Sequence, residues 1–492
     1  MNTYIGIDLG TSAVKILLVA EDGTVLKTLS KEYPISYPEP GWSEQNPADW
    51  WGACLTGLEE LLEGQDKASV KGIGVAGQMH GLVILDEEDY EIRDCILWND
   101  GRTAEETEWL NTHVGKEKLS ALTANIAFAG FTAPKLLWLK KHEPDNFAQI
   151  SKIMLPKDYI NYKLTGVHSC DYSDASGMLL LDVKNKCWSR EMLDICGVKE
   201  EQLPKLFESY ECIGTIKESI AFALGLSQDV VVCAGAGDNA AAAVGTGTVG
   251  DGACNISVGT SGTIFISQKN FSVDPYNALH SFAHADGSYH LMGCILSAAS
   301  CNKWFCKDVL GNGDYAAEQA AITDEMLGNN KVFFLPYLMG ERSPINDTNA
   351  RGTFTGLTMD SSRADMVQAV LEGVAFAIRD CFEVAKSLGL DIKSSKLCGG
   401  GGKSPLWQKI FANVLGIELQ IPVAEEGPGY GGAMLAMVCS GAYKDVASCA
   451  EALVKTKYVV EPDPAIKARY DAQYSKFKKI YPAVKPLFAE IV

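Results

Sequence analysis

The chain has 492 residues, 47% hydrophobic and 21% charged, with a formal net charge of −19. That length exceeds what one hydrophobic core usually supports, so two domains of roughly 250 residues each are expected. So acidic a surface repels nucleic-acid phosphates and anionic membranes, which argues against both as partners. Any phosphate ligand must then be gripped locally, by backbone N–H groups and a metal ion.

The 15 cysteines include no Cys-x-x-Cys pair, and Cys301 and Cys306 have no His or Cys partner at zinc spacing. Scattered buried thiols in a reducing compartment are expected. The first residues, Met1-Asn-Thr-Tyr-Ile-Gly6, have neither the basic nor the long apolar region of a signal peptide. No uncharged apolar stretch of about 20 residues follows, so no membrane span and a cytoplasmic location are expected. The run Val230 to Val249 comes nearest, but it carries Asp238 and four glycines, which suits a packed interior or a site better than lipid.

In chain order, Tyr4 to Val19 reads as two β-rich runs around a Gly10-Thr11-Ser12 turn. Asp22-Gly23 is a hairpin signal leading into Thr24 to Leu29, so an antiparallel meander opens the chain. Asn255 to Ser267 repeats the strand, Gly-Thr-Ser turn, strand pattern half a chain later. A repeat at that distance points to two domains of related topology, not a solenoid, with a chance repeat as the alternative. Val367, Val370, Leu371, Val374, Ile378, Cys381 and Ala385 recur at helical spacing behind a Ser362/Asp365 capping signal. Lys396 to Cys398 predicts a short strand entering four glycines. Ser404-Pro405 then predicts an N-cap and first turn of a helix through about Leu415. The segment from about 457 to 492 reads as a peripheral helix and tail. The class is α/β with mixed sheets.

Three glycine-rich places and one carboxylate suggest chemistry. In Asp8-Leu-Gly-Thr-Ser12, Gly10 permits a tight turn, and Thr11 and Ser12 can turn N–H groups and hydroxyls toward phosphate oxygens. Asp8 ends a buried strand, where a bound Mg²⁺ would satisfy its charge; a solvated hairpin Asp is the bland alternative. In Gly235-Ala-Gly-Asp-Asn239 the carboxylate of Asp238 opens an alanine-rich helix, a place that stabilises an anion. A general base and a simple helix cap are both open readings. Gly259-Thr-Ser-Gly262 and Gly399 to Gly402 would let a nucleotide approach the backbone, or are merely flexible turns. None of these is a P-loop or a strand-bound G-x-G-x-x-G.

The order of these motifs resembles the FGGY carbohydrate kinases, and the resemblance covers nearly the whole chain. It is carried further by Pro40-Gly-Trp-Ser-Glu-Gln45, Gly77-Gln-Met-His-Gly-Leu82, Ile96 to Thr103, Gly130 to Trp138, Leu155 to Tyr159, Ser173 to Gly177 and Phe334 to Arg342. The resemblance implies two ribonuclease-H-like domains of the actin/hexokinase/Hsp70 type around an interdomain cleft. Residues 1–246 would carry sugar binding and the phosphate turn. Residues 247–492 would carry nucleotide binding, with a peripheral helical tail from about 457. It implies ATP and Mg²⁺ as cofactors and D-xylulose, phosphorylated at O5, as the sugar; it is compatible with a homodimer. Asp238 would be the base, and Met79, His80, Asp238 and Asn239 would bind the sugar. Asp8 would hold the metal ion, and Thr11, Ser12, Gly259, Thr260, Gly400, Gly401 and Lys403 would hold the nucleotide. Trp98, Asn99 and Asp100 either line the sugar pocket or form a structural loop. Ala13, Ala129 and Tyr430 depart from the family pattern; Ala13 and Tyr430 would bear on nucleotide affinity. Two rivals remain: a kinase of the same family for ribulose, fuculose, gluconate or glycerol, and an actin- or Hsp70-like ATPase.

Overall fold

A computed structural model describes residues 1–423 and 426–491. The first meander forms as its alternation and turns predict: β1 (Thr3–Leu9), β2 (Ala13–Ala20) and β3 (Val25–Glu32) pair antiparallel in sequence order. Helix α1 (Pro47–Leu62) covers one face, and β4 (Val70–Gly77) joins β1 in parallel. Helix α2 (Pro156–Thr165) precedes β5 (Cys212–Thr215), β6 (Val231–Cys233) and β7 (Ala236–Gly237). The sheet runs β5-β6-β4-β1-β2-β3, with β7 also on β4. Helix α3 (Asp238–Gly245) starts directly after β7.

The second half repeats this plan. β8 (Cys254–Val258) and β9 (Gly262–Gln268) are antiparallel around the second Gly-Thr-Ser turn. β10 (His280–Ala283) and β11 (Tyr289–Ile295) follow, with β11 antiparallel to β9. After α4 (Arg363–Ser387), β12 (Ser394–Cys398) lies parallel to β8. Then come α5 (Pro405–Leu415), β13 (Glu418–Pro422), α6 (Pro428–Cys439) and β14 (Thr456–Val460). The order β11-β9-β8-β12-β13 thus mirrors β3-β2-β1-β4-β6 in both sequence and strand direction. The repeat is therefore topological as well as local.

The helix signals act as read. Ser362 and Asp365 form a reciprocal capping box on α4, with Ser362 N–H donating to Asp365 at 2.8 Å. Ser404 caps α5 with Pro405 in its first turn. Trp407 Nε1 donates to the Leu371 carbonyl at 2.9 Å, tying α5 to α4 in the core of the second half.

Two features differ from expectation. The C-terminal segment is not a peripheral tail. β14 forms the edge of the second sheet against β13, and the helix Pro464–Phe477 buries Tyr470, Tyr474 and Phe477 in that half's core. Helix α6 belongs to the second half by sequence but packs on the first sheet. A Cβ on Gly6 would stand 1.8 Å from the Gly429 carbonyl oxygen, and one on Gly74 1.9 Å from that of Gly432. Only glycine permits so close a crossing. Tyr430, on the same helix, donates to the Gly23 carbonyl at 3.1 Å, against the first sheet's hairpin.

Among the described residues no helix is long and apolar enough to cross a membrane. None of them forms a group of three or more His, Cys, Asp or Glu able to hold a metal ion. Most of the 15 cysteines are buried, though Cys187 and Cys212 are exposed.

Candidate active site

The C-terminal end of β1 and the start of α3 bring Asp8 and Asp238 together. Burial, then repulsion from Asp238, pushes the Asp8 carboxyl up to about 7, with Lys15 opposing. Burial pushes Asp238 up to about 6 against the Asn239 N–H, which donates to it at 2.7 Å. Hydrogen bonds to the charged form and burial thus pull in opposite directions, and burial wins.

A buried polar cluster holds the bend that aims Asp238. Lys157, at the start of α2, donates to Asp158 at 2.7 Å and to the Ala234 carbonyl at 3.1 Å, and pairs with Asp171 at 3.1 Å. Burial disfavours its charge, but Asp158 and Asp171 outweigh that and raise its pKa. Asp171 in turn accepts from Ser209 and from Ser173, and Ser173 Oγ accepts the Gly237 N–H at 3.2 Å. The segment 234–237 is therefore fixed from both sides before Asp238 leaves it.

A cleft of about 260 Å³ opens beside Asp238 and Asn239, lined by Met79, His80, Trp98, Phe128, Gly130, Phe131, Ser261, Thr263, Met292, Cys294 and Arg342. That is the scale of a small polyol, below the range of drug-sized ligands. All four expected sugar residues meet here. His80 has φ +71, a strained value for a side chain of its size. Its carbonyl is held by Lys135 Nζ at 2.8 Å and Thr132 Oγ1 at 3.1 Å. Its ring stacks on Phe131 at 4.7 Å, and Nδ1 lies 2.8 Å from the Gly177 carbonyl. Burial, then the Lys135 charge, pushes His80 down to about 3, so the ring is neutral. A carbonyl only accepts, so Nδ1 carries the proton and Nε2 is left as an acceptor.

The loop after Ile96 divides its roles. Trp98 lines the cleft, and its Nε1 donates to Thr11 Oγ1 at 3.0 Å, joining the cleft to the Gly10-Thr11-Ser12 turn. Asp100 does not line it. It is buried in a two-point pair with Arg102, at 2.8 and 2.7 Å, and accepts the Ser43 N–H. Asn99 is exposed.

A second cavity lies across the second sheet's turns, lined by Thr260, Ala299, Ser300, Asn302, Lys303, Tyr315, Gln319, Gly400, Gly401, Ser404 and Trp407. A Cβ on Gly400 would meet nothing within 4 Å, so the backbone there is open to a flat ligand. Gly259 closes the adjoining turn, its N–H donating to the Ser261 carbonyl at 3.0 Å. Lys403 is exposed and is not part of this lining; Lys303 is. Thr11 is half-buried and Ser12 exposed at the opposite turn. Tyr430 lines neither cavity, so its departure from the family pattern falls outside both.

Sequence reasoning missed Phe128, Thr263, Met292, Cys294 and Arg342. The segment ending in Glu341-Arg342 carries part of the resemblance, but nothing in its spacing assigns it to a sugar pocket.

Two sheets of like strand order, each offering a Gly-Thr-Ser turn, with a half-buried carboxylate at a helix N-terminus, suit a two-domain phosphotransferase. Residues 3–245 match the FGGY family of carbohydrate kinases, N-terminal domain, and residues 254–440 match its C-terminal domain. The chain belongs to the FGGY family of carbohydrate kinases and is an ATP-dependent sugar kinase. It is 40% identical to the xylulose kinase of Escherichia coli K12, over 99% of this chain and 100% of that one. It superposes with a TM-score of 0.94 on a structure from Brucella ovis described as a xyloylose kinase, at 40% identity over 99% and 100% of the two chains. The gluconate kinase of Lactobacillus acidophilus gives a TM-score of 0.94 at 27% identity, over the full length of both chains.

Proposed function

We propose that this chain transfers the terminal phosphoryl group of ATP to O5 of D-xylulose. Residues 1–246 supply the base and the phosphate turn, and residues 247–492 the nucleotide site. The observation that carries the reading is the small cleft that places Asp238, Asn239, Met79 and His80 together. The xylulose kinases among its relatives, similar over their full length, favour D-xylulose among the sugars.

Phosphoryl transfer through a loose transition state needs alignment and charge neutralisation more than covalent chemistry. Asp238 accepts a hydrogen bond from the O5 hydroxyl, orients it, and takes its proton late, as the P–O bond forms. Asn239 and the Nε2 acceptor of His80 hold hydroxyls further along the sugar. Thr11 and Ser12 face the phosphates from the first half, and Gly259 and Thr260 from the second. Gly400 and Gly401 lie against the adenosine, while the exposed Lys403 is left to reach a phosphate from outside the cavity.

Mg²⁺ fits the two acids. Asp8 owes its raised pKa to burial and to Asp238, with only Lys15 opposing, and Lys15 also pairs with Glu426 at 3.3 Å. Two hard oxygen donors whose negative charge is largely uncompensated suit a cation that keeps most of its water. Asp8 would hold it, with Asp238 nearby, and when bound it supplies charge neutralisation on the phosphate oxygens.

The test is a panel of D-xylulose, L-ribulose, L-fuculose, D-gluconate and glycerol with coupled detection of ADP. D-xylulose should give the highest kcat/KM. A higher value for any other member would replace it as the substrate.

A further inference from the structure

The sugar cleft has a chemical direction. Asp238 and Asn239 stand at one end, with Asn239 Nδ2 4.0 Å from Met79 Sδ. His80 follows Met79 and stacks on Phe131; Phe131 meets Phe128 at 5.4 Å; the guanidinium of Arg342 lies 5.5 Å from the centre of Phe128. The row therefore runs from a carboxylate to a guanidinium. The Arg342 charge is felt by His80 and His280 at its own end. Among the described residues no carboxylate lies within ion-pair distance of its guanidinium. Its backbone N–H is what meets Glu341, at 2.8 Å. Its guanidinium lies over the Phe128 ring and its charge also acts on the Glu341 carboxylate, but among the described residues no side-chain hydrogen bond takes up its N–H groups, which are available to a ligand.

We propose that Arg342 reads the C2 carbonyl oxygen of the ketose. The assignment rests on the D-xylulose reading above. With O5 at Asp238, the opposite end of a five-carbon chain presents C2 and C1 to Arg342. A guanidinium only donates hydrogen bonds, and a ketone oxygen only accepts them. A hydroxyl at the same place brings a proton that needs an acceptor. Of the side chains that line the cleft with Arg342, Phe128, Phe131, Met292 and Cys294 offer none better than sulfur, and the Nε2 acceptor of His80 is already assigned to a hydroxyl further along the sugar. The reduced sugar would therefore bury an unmatched donor, the situation from which polar sites draw their strongest discrimination. Arg342 is thus a specificity residue supplied by the second half to a sugar whose base comes from the first.

The experiment compares kcat/KM for D-xylulose and xylitol in the wild type, Arg342→Gln and Arg342→Lys, with KM for ATP measured alongside. In Arg342→Gln the ketose-to-alditol ratio should fall at least ~10-fold, as expected for the loss of a charged hydrogen bond. Arg342→Lys, which keeps a donor, should recover part of it. A ratio within twofold of wild type in folded Arg342→Gln would overturn the assignment, whatever the absolute rates. Should the variants not fold, calorimetric binding of both sugars to the wild type without ATP decides: equal affinities overturn the assignment, and a preference for D-xylulose supports it. If the wild type turns over another panel sugar but not D-xylulose, the substrate reading fails and this assignment falls with it. D-xylulose turnover with an unchanged ratio fails Arg342 alone.

Discussion

As the proposed base, Asp238 must be two things at once: withdrawn enough from water to act near neutrality, and anionic when the sugar arrives. Burial holds it at about 6, so kcat/KM should fall as pH drops through about 6, where the carboxylate takes up a proton. A pH-rate profile without an acidic limb near that value would contradict its role. Asp238→Asn should keep the fold by circular dichroism and lose ~10²-fold or more in kcat, the usual worth of a positioned base. Asp8 extends the same tension to stability. Its folded pKa of about 7 exceeds its ordinary 3.8. Between those values the folded state holds more protons than the unfolded one, so stability is full at low pH and is lost as pH rises toward 7. Asp8→Asn should therefore raise the Tm of the ligand-free protein at pH 7.5 by about 1–4 °C. The gain should shrink toward pH 4, while Mg²⁺-dependent turnover is lost. A lower Tm at pH 7.5 would show that Asp8 is not a destabilised charge.

At the scale of elements, the crossing of α6 over the first sheet depends on glycines that meet carbonyls. Gly74→Ala would place its Cβ 1.9 Å from the Gly432 oxygen, and the backbone shift needed costs about 1–3 kcal/mol. Gly52, inside α1, has nothing within 4 Å of a Cβ, so Gly52→Ala should stabilise by about 0.5–1 kcal/mol through helix propensity. Urea unfolding of both variants is the measurement. Opposite signs are expected, and equal effects would mean that the crossing does not constrain the helix. The same scale shows where sequence reading succeeds. Ser362 with Asp365, and Ser404 with Pro405, announce α4 and α5 because a cap's hydrogen bonds close within three residues. β14 reads as part of a tail because an edge strand of four exposed residues and one half-buried one lacks clean alternation. Only its partner β13 makes it a strand.

Across the whole molecule, the two halves share the cleft proposed for the sugar. Met79, His80 and Asp238 come from the first, and Thr263, Met292, Cys294 and Arg342 from the second. The assignment of sugar to residues 1–246 and nucleotide to residues 247–492 therefore describes only part of the cleft. Sugar and nucleotide together should draw the halves closer, expel water and protect ATP. Small-angle scattering should show a smaller radius of gyration with D-xylulose and a non-hydrolysable ATP analogue than with neither. ATP hydrolysis without sugar should be slow. An unchanged radius together with sugar-independent hydrolysis would contradict closure.

Local spacing alone announced the duplicated Gly-Thr-Ser turns, the capped helices and an acid at the head of an alanine-rich helix. Each of these is written within a few residues, where backbone geometry and short-range hydrogen bonds decide the outcome. Other features waited for the packed chain: Arg342 brought into one cleft with His80, Lys157 bracing the bend before Asp238, and Asp100 turned away into a pair with Arg102. Those contacts, the Arg102 pair apart, join residues far apart in sequence, and all of them depend on which surfaces burial brings face to face. No periodicity in a single segment carries that information.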